Sequence, residues 1–156
     1  MSSQAISARA RQRGLAMVEL AIALPLLLLL LLALGEIGRM LFQYNSLLQA
    51  SRDASRFVAG QAWNRTLGQI ELSAGMIDQA RTLAVYGAPV LQAGSEPLVS
   101  GLSTSQVSVS ALGSNHVQVS ISYTFQPLIG SGLPNLGSGG ATLGFPLVAT
   151  TVMRAL

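Results

Sequence analysis

The sequence predicts an α+β protein with a long N-terminal membrane-crossing and amphipathic helix, a second helix, and a small antiparallel sheet of about three strands. Three observations predict this fold class. An apolar window over residues 15–34 contains one charged residue, Glu19. Apolar residues then recur every three or four positions through residues 37–58. The period changes to two after residue 106.

The apolar window is long enough to cross a membrane. Twenty helical residues rise about 30 Å, which matches the thickness of a hydrocarbon core. Arg9, Arg11 and Arg13 precede the window and carry the whole formal net charge of +3. Because positive charge stays on the cytoplasmic side, residues 1–14 are interpreted as a flexible cytoplasmic leader, and the chain after about residue 38 is placed across the membrane.

The helical pattern continues beyond the membrane. With no strong breaker between Gly38 and Gly60, one helix over residues 15–60 is predicted, on the order of 70 Å long. Pro25 lies inside the membrane window and lacks a backbone donor, which predicts a kink or local melting of the membrane helix.

Residues 61–156 are predicted to form the domain on the far side of the membrane. Gly60–Arg65 resembles a turn. The spacing of Thr66 and Gln69 is that of a capping box, which predicts that the second helix begins there; Gly87 predicts its end. Residues 88–104 are rich in Gly, Pro and Ser and are predicted to be a loop.

The strands are predicted from strict alternation. Apolar residues alternate with polar ones over residues 107–111 and 117–125, and the turn signal at 113–115 joins them into a hairpin. A Gly/Pro/Ser-rich loop is predicted over residues 128–140. Leu143 to Met153 is predicted to form a last strand that is interrupted or edged at Pro146.

Several function classes are excluded or disfavoured by composition. The absence of cysteine excludes disulfides and thiolate metal sites. The single histidine, His116, lies among strand residues without a carboxylate cluster, so we interpret it as structural or solvent-facing. Beyond the leader, arginines and acids balance, which argues against nucleic-acid binding. We find no catalytic set, and we expect no enzyme activity, cofactor or metal.

The junction of leader and membrane window has its own chemistry. A secretory signal peptide is cleaved after its apolar core, whereas here a basic leader ends at Gly14 before the core, with Glu19 five residues later. This arrangement resembles the class III leader of type IV prepilins. The resemblance implies cleavage between Gly14 and Leu15 by a membrane prepilin peptidase.

Cleavage would create an α-amine on Leu15, which is charged at neutral pH. Within one helix this amine and Glu19 are four residues apart and could pair weakly. Alternatively, Glu19 meets the Leu15 amine of an adjacent subunit and sets the register of an assembly. A third interpretation is that Glu19 is a border residue that reaches toward the lipid headgroups.

The resemblance extends along the first 58 or so residues. Val18-Glu19-Leu20-Ala21, the leucine run after Pro25, Gly35–Arg39 and Ala50–Arg56 are similar to the opening of TadE/TadG-like minor pilins (pseudopilins), and Ala149–Arg154 resembles their closing strand. These proteins belong to the tight-adherence (Tad/Flp) type IV pilus system. Leu20 departs from the short major pilins of this branch, which typically carry an aromatic residue there; this favours a minor pilin.

This resemblance implies a role in initiation, priming or tip formation of a pilus. The implied partners are the prepilin peptidase, other major and minor pilins, and the assembly platform in the inner membrane. The implied location is the inner membrane, with a single span, a cytoplasmic N-terminus and a periplasmic C-terminal domain, or the extracellular pilus itself. The alternative is an uncleaved bitopic inner-membrane protein whose periplasmic domain binds an envelope partner.

Overall fold

A computed structural model describes residues 3–127 and 144–156, with side chains from residue 16 onward. It confirms the α+β class. The elements in chain order are helix α1 (Ser3–Ala59), strands β1 (Trp63–Asn64) and β2 (Gln69–Ile70), helix α2 (Ala74–Tyr86), a short 3-10 turn (Thr104–Gln106), and strands β3 (Val107–Leu112), β4 (His116–Thr124) and β5 (Pro146–Arg154). The chain divides into two compact units, Met1–Gly38 and Arg39–Leu156.

Helix α1 is longer than the sequence predicts, because it begins at Ser3 rather than near residue 15. Residues 3–14, which the sequence analysis interprets as a flexible leader, are thus helical in the structure, and their flexibility stays a prediction. The physical reason is local: Ala, Arg and Gln are good helix formers, and neither Gly nor Pro occurs before Gly14. The helix continues through Pro25, and the kink or local melting predicted there stays a prediction.

The main sheet has the order β3-β4-β5, with both pairs antiparallel. In the hairpin, Val107 faces Ile121 and Leu112 faces His116, which leaves the three-residue turn predicted at Gly113–Asn115. Gly113 has a φ of 68°, a left-handed conformation that glycine adopts without a Cβ clash. The predicted hairpin is confirmed.

The alternation in β4 defines the inner face of the sheet. Val117, Val119, Ile121 and Tyr123 are buried, whereas the residues between them are exposed or half-buried. These side chains meet the second half of α1 and the end of α2. The larger of two core clusters, apart from its half-buried neighbours, consists of Leu47, Ala50, Ala54, Ala84, Val85, Val99, Leu102, Val107, Val119, Ile121, Tyr123 and Ala149.

The second core cluster lies at the C-terminal end of α1. It contains Val58, Ala59, Ala62, Ala80, Val117 and Ala155, with Trp63, Met76 and other half-buried side chains packed against it. The last residues of the chain close this end, because the Leu156 amide donates to the Ala59 carbonyl at 3.0 Å. The small residues of α1 in both clusters allow the helix to lie close to the sheet.

Residues 63–70 form a second, two-stranded antiparallel sheet that the sequence analysis did not predict. The predicted capping box at Thr66 and Gln69 is wrong. Instead, the Asn64 side chain accepts from the amides of Thr66 (2.9 Å) and Leu67 (3.1 Å), and Gly68 follows at a φ of 64°. An Asx turn thus stabilises a hairpin where a helix start was expected.

Helix α2 begins about two turns later than predicted, because its N-cap is seven residues after Thr66, and it ends as predicted. Its N-cap is Ser73, whose hydroxyl accepts from the Met76 amide at 3.3 Å. Its C-cap is Gly87, at a φ of 75°, whose amide donates to the Leu83 carbonyl at 2.9 Å. These caps satisfy backbone groups that the helix ends would leave without partners.

The loop predicted over residues 88–104 is confirmed up to residue 103, because the 3-10 turn begins at Thr104. It is a packed loop, since Val99 and Leu102 are buried and Tyr123 donates to the Ser100 carbonyl at 2.9 Å. The last strand begins at Pro146. Gly144 and Phe145, which the sequence analysis placed in this strand, lie outside it. Leu143 and the loop predicted over 128–140 lie outside the described residues.

Candidate processing and assembly segment

Residues 16–35 of α1 expose an apolar surface on all sides. The large apolar side chains from Met17 to Leu34 are all 43–74% exposed, and no side chain over residues 16–35 is buried. Within the described part of the chain, this is the one helix long and apolar enough to cross a membrane. Such a surface is unfavourable in water and favourable in lipid, so the helix fits a single-pass membrane protein.

Glu19 is the one charged residue from Ala16 to Leu34, and its side chain is exposed. In the helix, residues 15 and 19 lie one turn apart on the same face. Gly14 and Leu15 are also helical. The cleavage site at Gly14 and Leu15 and the pairing of Glu19 with the Leu15 amine stay predictions.

An anchor that the sequence analysis missed lies where the helix leaves the apolar segment. The guanidinium of Arg39 donates to the Gln126 carbonyl and lies 4.6 Å from the centroid of the Phe125 ring. Phe125 is buried beyond the end of β4. These contacts fix the exit of β4 against the start of the helical part that belongs to the domain. The separation of 87 residues in sequence left no local signal for them.

Two buried serines attach the same helix to the middle of the sheet. Ser51 and Ser55 are both fully buried. The Ser51 hydroxyl lies 2.9 Å from Thr151 Oγ1 and 3.2 Å from the Val119 carbonyl oxygen, and the Ser55 hydroxyl lies 3.3 Å from the Thr151 carbonyl oxygen. Buried hydroxyls with partners hold a helix at one rotation and height on a sheet. The second half of α1 is therefore part of the domain core.

The described residues contain no group of three or more residues of the metal-ligating types His, Asp and Glu placed to hold a metal. His116 begins β4, is half-exposed, and faces Arg154 across the sheet. A groove beside Trp63 is open to solvent, and its acid, Glu71, accepts a hydrogen bond from the side-chain amide of Asn64 at 2.7 Å.

Comparison with known protein families gives a match that covers the whole candidate segment. Residues 14–56 match the family model described as TadE-like protein. The match begins at Gly14. It includes the exposed apolar residues from Met17 to Leu34, then Arg39, and then the buried Ser51 and Ser55. The match covers 43 of the 156 residues, so it is this segment that is similar to the family. No curated protein and no solved structure matches the chain.

Proposed function

We propose that this chain, whose residues 14–56 are TadE-like, is a minor pilin that prepilin peptidase processes between Gly14 and Leu15. In this role it acts in the initiation, priming or tip formation of a Tad-type pilus. The observation that carries the proposal is the extent of the family match, which begins at Gly14 and ends in the packed half of α1. The proposed cleavage site, the apolar part of α1 and the residues of α1 that contact the sheet therefore belong to one TadE-like segment.

The exposed apolar helix supports an assembly role. Before assembly its side chains are stable in the hydrocarbon core, and in a filament or tip complex the same side chains pack against other apolar helices. The three leader arginines place the N-terminus in the cytoplasm, and the domain of residues 39–156 then lies in the periplasm. The partners in this proposal are the peptidase, other major and minor pilins, and the inner-membrane assembly platform.

Glu19 would set the register between subunits. A carboxylate in an apolar segment is unfavourable unless it is paired or reaches water. Removal of the leader supplies the missing cation, because the new α-amine lies on Leu15, one turn before Glu19. When the pair forms between neighbouring helices, a shift of one subunit leaves both charges unpaired in a low-dielectric seam. The ion pair thus favours one axial position of each subunit.

The test replaces Glu19 in a host that carries the peptidase and tagged partner pilins. Glu19→Gln keeps the size and removes the charge, and Glu19→Asp keeps the charge. We expect all three chains to be cleaved, but only the wild type and Glu19→Asp to co-purify with the partner pilins from solubilised membranes. Normal co-purification of Glu19→Gln would contradict the register argument.

The uncleaved bitopic protein is the opposing outcome. In that case Gly14 has no role in processing, and Glu19 is a border residue at the headgroups. Substitution of Glu19 by Gln would then leave every association of the chain unchanged, because the periplasmic domain alone would contact its partner.

A further inference from the structure

Two glycines lie three residues apart in α1, at the end of the apolar run. Gly35 and Gly38 are both helical, and neither has a positive φ. Among the described residues, a Cβ added at either position would meet no atom within 4 Å beyond the adjacent residues and the helix's own nearby backbone. Neither the backbone conformation nor close packing against the described residues therefore requires glycine at these two positions.

The remaining effect of these glycines is on the helix itself. Glycine in a helix interior is less favourable than alanine, because it loses more backbone freedom when the helix forms. Most helices in proteins are stabilised by packing of one face, but Gly35, Ile37 and Gly38 are all exposed. This segment also follows the apolar window, so water can compete for its backbone hydrogen bonds. Low helix propensity at Gly35 and Gly38 thus coincides with exposed side chains at Gly35, Ile37 and Gly38.

Directly after Gly38, the helix is held by contacts with the rest of the domain. The two compact units divide between Gly38 and Arg39. Arg39 is held by the Gln126 carbonyl and the Phe125 ring, both of which belong to its own unit. Further along the same helix, Leu47 is the first fully buried side chain. The contacts between the helix and the domain thus begin at Arg39, directly after residues 35–38.

We propose that residues 35–38 are a flexible joint in α1. The joint opens locally and lets the domain change its orientation to the bilayer, while the apolar segment keeps its position in the lipid. Because it depends only on backbone freedom and on the Arg39 anchor, the joint operates whether or not the leader is cleaved and whether or not the chain enters a pilus.

Amide hydrogen exchange on the full chain in detergent micelles tests the joint. The variant Gly35→Ala/Gly38→Ala is expected to slow exchange of the amides of residues 36–42 by about 5–30-fold, the factor that corresponds to 1–2 kcal/mol of added helix stability. Gly75→Ala is the matched control, because Gly75 is also helical and an added Cβ there also meets no atom within 4 Å. It should leave these amides unchanged. Equal exchange in the wild type and the double variant would overturn the proposal.

Distances between two spin labels give an independent readout. The chain has no cysteine, so Leu28→Cys and Asn45→Cys supply unique label sites on exposed positions of α1 that bracket the joint and exclude Pro25. Seventeen residues of straight helix separate their Cα atoms by about 26 Å. We expect a broad distribution with shorter distances in the otherwise wild-type chain, and a narrow one in the double alanine variant. A single narrow distribution in both chains would overturn the joint.

Discussion

Substitution of Ser51 measures how firmly α1 is fixed to the sheet. Its hydroxyl is fully buried, with one proton to donate and two acceptors within reach, Thr151 Oγ1 at 2.9 Å and the Val119 carbonyl oxygen at 3.2 Å. Ser51→Ala removes the hydrogen bond that this hydroxyl donates, so the free energy of unfolding should fall by about 0.5–1.5 kcal/mol. Ser51→Leu must instead fit a larger side chain between the helix and the strands, which should cost about 1–3 kcal/mol.

The assay is urea unfolding of the full chain in detergent micelles, followed by the fluorescence of Trp63. Trp63 is the single tryptophan and packs against the second core cluster, so it reports the domain. A double-mutant cycle with Thr151→Val isolates the contact, and we expect a coupling energy of about 0.5–1.5 kcal/mol. Gln49→Ala, on the exposed face of α1, should stay within about 0.5 kcal/mol of the wild type. Strict additivity of Ser51→Ala and Thr151→Val would refute this account of the helix–sheet contact.

Three further substitutions probe the same domain by urea unfolding. Ile121→Ala removes a fully buried side chain at the centre of β4 and should lower the free energy of unfolding by about 2–5 kcal/mol. Ser73→Ala removes the N-cap bond to the Met76 amide and should lower it by about 0.5–2 kcal/mol. Tyr123→Phe removes the hydroxyl that donates to the Ser100 carbonyl and should lower it by about 0.5–1.5 kcal/mol, with faster proteolysis of the loop over residues 88–103. An effect below about 0.3 kcal/mol in any of them would contradict the contact it removes.

Elements in which apolar residues recur at a regular spacing could be predicted from the sequence, because that spacing follows the buried face of the helix or strand. In β4 every second residue from Val117 to Tyr123 is buried, and the apolar positions in the sequence show the same spacing. The C-cap at Gly87 was also predictable, since glycine adopts the left-handed conformation that ends a helix. These signals are local and do not depend on which segments meet in space.

The errors arose where one local signal fits two structures. Thr66 and Gln69 have the spacing of a capping box, but Asn64 and Gly68 supply a competing hairpin turn, and pairing of Trp63 with Ile70 favours the hairpin. The Arg39 anchor could not be predicted because its partners are far away in sequence. Whether a polar helical residue faces solvent or a distant carbonyl depends on tertiary packing.

The candidate segment could be predicted in part. The apolar window follows from composition alone, and in the structure its large apolar side chains from Met17 to Leu34 are exposed, as membrane insertion requires. The proposed role of Glu19 depends on an α-amine that cleavage would create, and on a second subunit. Neither belongs to the single full-length chain that the structure describes.

The central claim is most directly tested by the intact mass of the protein purified from membranes of hosts with and without a prepilin peptidase. We predict a chain that begins at Leu15 in the first host and a chain that retains residues 1–14 in the second. Gly14→Val, which places a branched side chain at the cleavage position, should stay uncleaved in both hosts. A wild-type chain that retains its leader in both hosts would contradict the claim.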